Sequence, residues 1–155
     1  MRGFEKVSEK EFLKYGTKND YLNIQLPKRG TKNSAGYDFF LPSALTIKAK
    51  EKLIIPSGIK AYMNSDEVLF LVIRSSIGIK YGIKLINQVG VIDSDYYNNL
   101  DNEGHIRIAV ENNSDLDVTF KSGDRIAQGI FIKYLTTDNE KGPKTARLGG
   151  IGSTL

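Results

Sequence analysis

Lys52-Leu53-Ile54-Ile55-Pro56-Ser57-Gly58-Ile59-Lys60-Ala61-Tyr62-Met63-Asn64-Ser65-Asp66-Glu67-Val68-Leu69-Phe70-Leu71-Val72-Ile73 sets three short apolar runs side by side. They are Lys52–Ile55, Ile59–Met63 and Val68–Ile73, broken by Pro-Ser-Gly and then by Asn-Ser-Asp. Short β-branched and aromatic runs between turn residues predict strands joined by tight connections. The pattern continues on both sides. Upstream lie Tyr21–Leu26, Tyr37–Leu41 and Leu45–Ile47; downstream lie Ile83–Ile86, Val89–Ile92, Ile106–Val110, Leu116–Phe120 and Ile126–Tyr134. After Gly16 no segment sustains a 3.6-residue apolar period. So many short strands predict an all-β fold, a jelly-roll-like barrel or sandwich.

The two ends read differently. Arg2–Val7 suits a short edge strand, and Ser8-Glu9-Lys10-Glu11 has the spacing of a capping box opening a short helix through Tyr15. Gly16–Asp20 is a polar connector. Thr136–Leu155 loses the apolar pattern and turns Gly-rich, so it is expected to be a flexible arm that orders only against something else. The 155 residues suit one domain: an N-terminal extension over 1–20, a β core over 21–135 and an arm over 136–155.

Composition removes several chemistries. Cysteine is absent, which excludes disulfides, thiolate metal sites and a cysteine nucleophile. His105 is the one histidine, so a Ser-His-Asp triad or a zinc site would rest on it alone. No apolar run reaches the roughly 18–20 residues of a membrane span, and the charged Met1-Arg2-Gly3-Phe4-Glu5-Lys6 is unlike a signal peptide. A cytoplasmic protein without membrane contact is expected. The formal charge of +4 is spread along the chain, which argues against direct nucleic-acid binding.

Five connections carry chemistry-bearing residues. Ser34-Ala35-Gly36-Tyr37-Asp38 is a small-residue turn that delivers a carboxylate to a strand start. Arg74-Ser75-Ser76, at a strand end, suits phosphate, but taken alone it reads first as a turn with an exposed charge. In Asn87-Gln88-Val89-Gly90-Val91-Ile92-Asp93-Ser94-Asp95-Tyr96, an extended chain would put Asp93 and Asp95 on one side. A carboxylate after an apolar run suits a general base toward water; it also suits a plain strand-ending turn. Gly123-Asp124-Arg125-Ile126-Ala127-Gln128 reads as a turn in which Asp124 and Arg125 pair, leaving Gln128 without an obvious structural task. Arg147-Leu148-Gly149-Gly150-Ile151-Gly152-Ser153-Thr154 can wrap backbone N–H groups around phosphates or form a flexible end. It lacks the Gly-Lys-Ser/Thr ending of a Walker A loop.

Taken in order, these five stretches resemble the five motifs of the trimeric dUTPase family, in the form found in Gram-positive bacteria and their phages. The resemblance covers residues 21–155. It implies a homotrimer with shared active sites that hydrolyses dUTP to dUMP and pyrophosphate with Mg2+. It makes Asp93 the general base for in-line water attack on the α-phosphorus, and packs Tyr96 against the deoxyribose, where a 2′-hydroxyl would not fit. Asn87 and the backbone of Gly90, Val91 and Ile92 would bind the uracil edge. Arg74, Ser75, Ser76 and Gln128 would hold phosphates, with Arg147, Ser153 and Thr154 closing from a third chain. Asp38 would be an outer-sphere partner of the metal through water.

Three positions depart from the family pattern. Ile73 stands where the second motif usually has Pro, Tyr97-Asn98 follows the third motif, and Ile151 replaces the Phe that stacks on uracil. Ile151 is expected to cap the base by apolar contact alone, weakening closure without touching hydrolysis. A dCTP deaminase shares the fold, but Asp93-Ser94-Asp95-Tyr96 follows the hydrolase pattern. A phage-type regulatory protein with a protein partner is the alternative from another class.

Overall fold

Turn chemistry and alternation carry most of the architecture in the computed structural model, which describes residues 1–139, Gly142 and Gly149. The strands are β1 (Gly3–Lys6), β2 (Lys28–Arg29), β3 (Tyr37–Phe40), β4 (Leu45–Ile47), β5 (Lys52–Pro56) and β6 (Ile59–Tyr62). They continue as β7 (Glu67–Ile73), β8 (Ile83–Leu85), β9 (Gly90–Asp93), β10 (Arg107–Asn112), β11 (Val118–Phe120) and β12 (Arg125–Lys133). Three short helices intervene, α1 (Glu9–Phe12), α2 (Lys18–Asn23) and α3 (Ser75–Tyr81), with a 3-10 turn at Ser94–Tyr96.

Every strand pairing among the described residues is antiparallel. The largest sheet runs β2-β3-β12-β7-β9, a second runs β5-β10-β8, and two-stranded ribbons join β1 to β6 and β4 to β11. This is the expected all-β, jelly-roll-like fold. The strand β10 shows why the pattern was readable: Ile108 and Val110 are buried while their neighbours are half-exposed. Asn112, last on the same face, is also buried, but its side chain donates to the carbonyls of Ile47 and Leu116, so no polar group is stranded.

The core gathers Phe39, Leu69, Leu71 and Ile126 from the large sheet, Ile55, Ile83, Leu85 and Ile108 from the second, and Ile47 and Phe120 from a ribbon. Val7, Phe12 and Ile24 of the N-terminal segment join the same cluster. Each such side chain contributes about 1.5–3 kcal/mol on burial. No helix among the described residues is long and apolar enough to cross a membrane.

Two helices stand where none was expected. Tyr21–Leu26, read as a strand, has its first three residues in α2 and the rest in the loop after it, and α2 also crosses the boundary drawn at residue 20. Thr17 and Asp20 form a reciprocal capping box there, and Tyr21 and Ile24 face the core at helical spacing. Arg74-Ser75-Ser76, read as a turn, opens α3, which is only seven residues long and buries Ile77 alone. One buried position cannot register as a period; the helix instead ends at Gly82 in the left-handed region. At α1, half of the expected capping box forms. Ser8 Oγ accepts from Glu11 N, but the Glu11 carboxylate turns to Lys14 and His105. The helix stops at Phe12 rather than Tyr15.

Candidate active site

Among the cavities that the sheets leave, two that share no residue hold the sequence-marked side chains. The first, about 370 Å³, opens where β9 faces β8 and β10, and is lined by Asn87, Gly90, Val91, Ile92, Asp93 and Tyr96 with Arg107. Among the described residues β9 is an edge strand, paired to β7 alone. Its outer edge therefore presents backbone N–H and C=O groups to that space. The chain stops being extended at Asp93, where the 3-10 turn begins. Asp93 and Asp95 thus do not share a strand face, and of the two only Asp93 lines the cavity. The turn brings Tyr96 back toward the core, its hydroxyl donating to the His105 carbonyl at 3.1 Å.

The second cavity, about 290 Å³, is lined by Gly30, Thr31, Ser34, Gly36, Asp38, Arg74, Ser75, Arg125 and Gln128. Strand register explains the convergence, since Asp38 on β3 lies opposite Gln128 on β12, which in turn pairs with Val72 on β7. Asp38 is buried, and each carboxylate oxygen takes one guanidinium: Oδ1 forms an ion pair with Arg74 Nε at 2.9 Å, and Oδ2 accepts from Arg125 Nη1 at 3.1 Å. Two cations fixed by one carboxylate leave a net positive wall suited to an anion. Gly36 lies so close to Gln128 that a Cβ there would fall 2.1 Å from Oε1. The glycine is what lets this turn close over the amide.

Arg125 was missed as a site residue, because its neighbour Asp124 offered a nearer partner. Asp124 instead caps its own turn by accepting from Lys121 N. Arg107 was missed as well; its Nε is buried without a hydrogen-bond partner among the described residues, and its guanidinium lies 5.0 Å from the Tyr15 ring centroid. Ser76 is exposed on α3, one residue past the cavity. Arg147, Ile151, Ser153 and Thr154 lie outside the described residues.

The cavities are held apart by β7. Asp93 pairs with Val68 near its start, and Arg74 follows its last residue. Six residues of strand separate those points by roughly 20 Å. Asp93 and Arg74 thus stand at opposite ends of β7, although the first cavity itself reaches as far as Leu71.

An edge strand beside one cavity and a fixed pair of arginines in another make a β-stranded protein whose clefts suit a polar ring edge and an anion. A family model described as dUTPase matches residues 22–155. The deoxyuridine 5′-triphosphate nucleotidohydrolase of Lactococcus lactis is 44% identical, over 99% of this chain and 97% of that one. The crystal structure of dUTPase from Streptococcus mutans superposes with a TM-score of 0.73 at 43% identity, over 88% of this chain and 98% of that one. A dUTPase of Staphylococcus bacteriophage 80alpha with dUpNHpp shares the fold, with a TM-score of 0.70 at 19% identity over 94% and 89% of the two chains. The chain belongs to the dUTPase family.

Proposed function

We propose that this enzyme hydrolyses dUTP to dUMP and pyrophosphate in sites assembled between chains of a homotrimer. The observation that supports this reading is the separation along β7: Asp93 pairs with Val68 near its start, and Arg74 follows its last residue. A neighbouring chain then brings its Asp93 cavity against the Asp38-Arg74-Arg125 cavity. Arg74, Ser75, Ser76 and Gln128 hold the phosphates, and Arg147, Ser153 and Thr154 of a third chain close over them, with Ile151 against the base.

Asn87 and the open edge of β9 at Gly90–Ile92 read the uracil edge, and Tyr96 packs on the deoxyribose. Asp93 takes a proton from water as its oxygen attacks the α-phosphorus in line. The bond from that phosphorus to the bridging oxygen breaks, and pyrophosphate leaves with the electron pair.

Magnesium fits only as an ion carried by the substrate. Among the described residues no three or more His, Cys, Asp or Glu side chains cluster as a cage. Asp38 already pairs with two arginines. Its remaining lone pairs suit a metal-bound water, giving the outer-sphere contact and leaving direct ligation to triphosphate oxygens and water. The bound ion supplies neutralisation of phosphate charge.

Subunit complementation tests the shared site. Asp93→Asn and Arg74→Gln are each expected to be inactive in a pyrophosphate-release assay with dUTP and Mg2+. Unfolded together and reassembled at equal amounts, they should restore about a quarter of the wild-type sites, the product of two independent halves. Sites contained within one chain would restore none. Running the assay with dTTP, dCTP and UTP tests base and sugar selection in the same experiment.

A further inference from the structure

Residues 1–21 lie outside the matched family region, yet they grip one loop next to the first cavity. That loop, residues 97–105, follows Tyr96 and is built from buried, bonded polar groups. Asn99 Nδ2 donates to the Tyr96 carbonyl at 2.8 Å and to Asn102 Oδ1 at 2.8 Å. Asn102 Nδ2 donates to the Tyr96 hydroxyl at 2.9 Å, and that hydroxyl donates to the His105 carbonyl. The hydroxyl is thereby held from both sides. Gly104, at φ +81°, lies where a Cβ would meet the Tyr96 carbonyl at 2.6 Å. Asn98 and Glu103 also take left-handed φ of 55° and 58°. A backbone this constrained persists only when its surroundings hold it.

The N-terminal segment supplies that hold. Ser8 donates to the Glu103 carboxylate from its backbone N–H at 2.8 Å and from Oγ at 2.5 Å. Tyr97 donates its hydroxyl to Glu5 at 2.7 Å, and Lys14 reaches the Asp101 carbonyl at 3.5 Å. Beneath them His105 is fully buried. Its Nε2 accepts from Gly58 N at 2.9 Å, which leaves Nδ1 to carry the proton toward Glu11 Oε1 at 3.4 Å.

We propose that the N-terminal segment is a specificity strap: through Glu103 and His105 it fixes the loop that clamps the Tyr96 hydroxyl, and so sets how sharply the enzyme rejects a 2′-hydroxyl on the sugar. Ser8, Glu11, Asn102, Glu103 and His105 are positioning residues in this scheme. None of them lines the first cavity. The proposal rests on reading Tyr96 as the residue that packs on the deoxyribose. A ring pinned at its hydroxyl cannot tilt to admit an extra oxygen, whereas a ring released at that end can.

The test is the ratio of kcat/KM for dUTP over UTP in the full-length enzyme. Asn102→Ala and Glu103→Ala should each lower that ratio about three- to tenfold, the scale of one or two lost hydrogen bonds. The change should lie mainly in KM for UTP, with kcat for dUTP retained. Glu103→Gln, which can still accept from Ser8, should recover part of the loss. In a Tyr96→Phe background, Glu103→Ala should change the ratio no further, since there is no hydroxyl left to hold. Equal losses for both substrates, or an unchanged ratio in Glu103→Ala while Tyr96→Ala collapses it, would overturn the strap and leave the sugar assignment standing. An unchanged ratio in Tyr96→Ala overturns the sugar assignment itself, and the strap with it. Glu103 is a surface-side partner, so its variants decide the matter even where Asn102→Ala does not fold.

Discussion

Asp93 is half-buried at the point where β9 gives way to the 3-10 turn, with its side chain on the first cavity. Asp93→Asn keeps shape and removes the proton acceptor. Turnover of dUTP is expected to fall by about 10²–10⁴-fold, with the melting temperature and nucleotide binding largely kept. A variant that turned over at near the wild-type rate would place the base elsewhere. At this scale Gln128 was legible because its strand gave it no structural task, while Asp93 stood open to two readings. Gln128 inside a strand and Asp93 after an apolar run both line cavities. The sequence was misleading where a local partner existed on paper, as with Asp124 beside Arg125. The true partner of Arg125 is Asp38, brought near only by the pairing of β3 with β12.

Elements set by alternation were readable, and elements set by caps or by tertiary contact were not. β10 and β7 declare themselves through runs of Ile, Val and Leu, whereas α2 depends on the Thr17–Asp20 box and α3 on one buried isoleucine. β1 shows tertiary contact at work: it pairs with β6 while Arg2 beside it binds Glu67, at the start of β7, through Nε at 3.0 Å. The hydrogen bonds from Arg2, opposed by burial and helped by Asn64 N, hold the Glu67 carboxyl from 4.5 down to about 2. A depressed folded-state value means the unfolded chain binds the proton first as pH falls. The stabilisation from this pair is therefore complete above about pH 4.5 and is lost as pH drops toward about 2. Glu67→Gln should flatten that part of the curve of melting temperature against pH. A slope identical to wild type between those limits would show that the Arg2–Glu67 tie does not couple β1 to folding.

At the scale of the whole molecule, the chain is a set of sheets around one core, with Asp93 beside the start of β7 and Arg74 just past its end. Light scattering at micromolar concentration should report a trimer, because function in this scheme requires three copies; a stable, fully active monomer would remove the shared site. The arm from Thr136 onward was expected to finish that site, and those of its residues that matter lie outside the described ones. The length of β7 also has a kinetic consequence. In the proposed trimer, with catalytic parts divided between chains, an isolated chain would contribute nothing, so specific activity should become a function of dilution. Below the assembly threshold the initial rate should climb more steeply than the first power of enzyme concentration, and above it the rate should settle to simple proportionality. A site divided along β7 would thus make expression level a gate: a few scattered chains would be silent, and activity would switch on only when enough copies coexist to find one another.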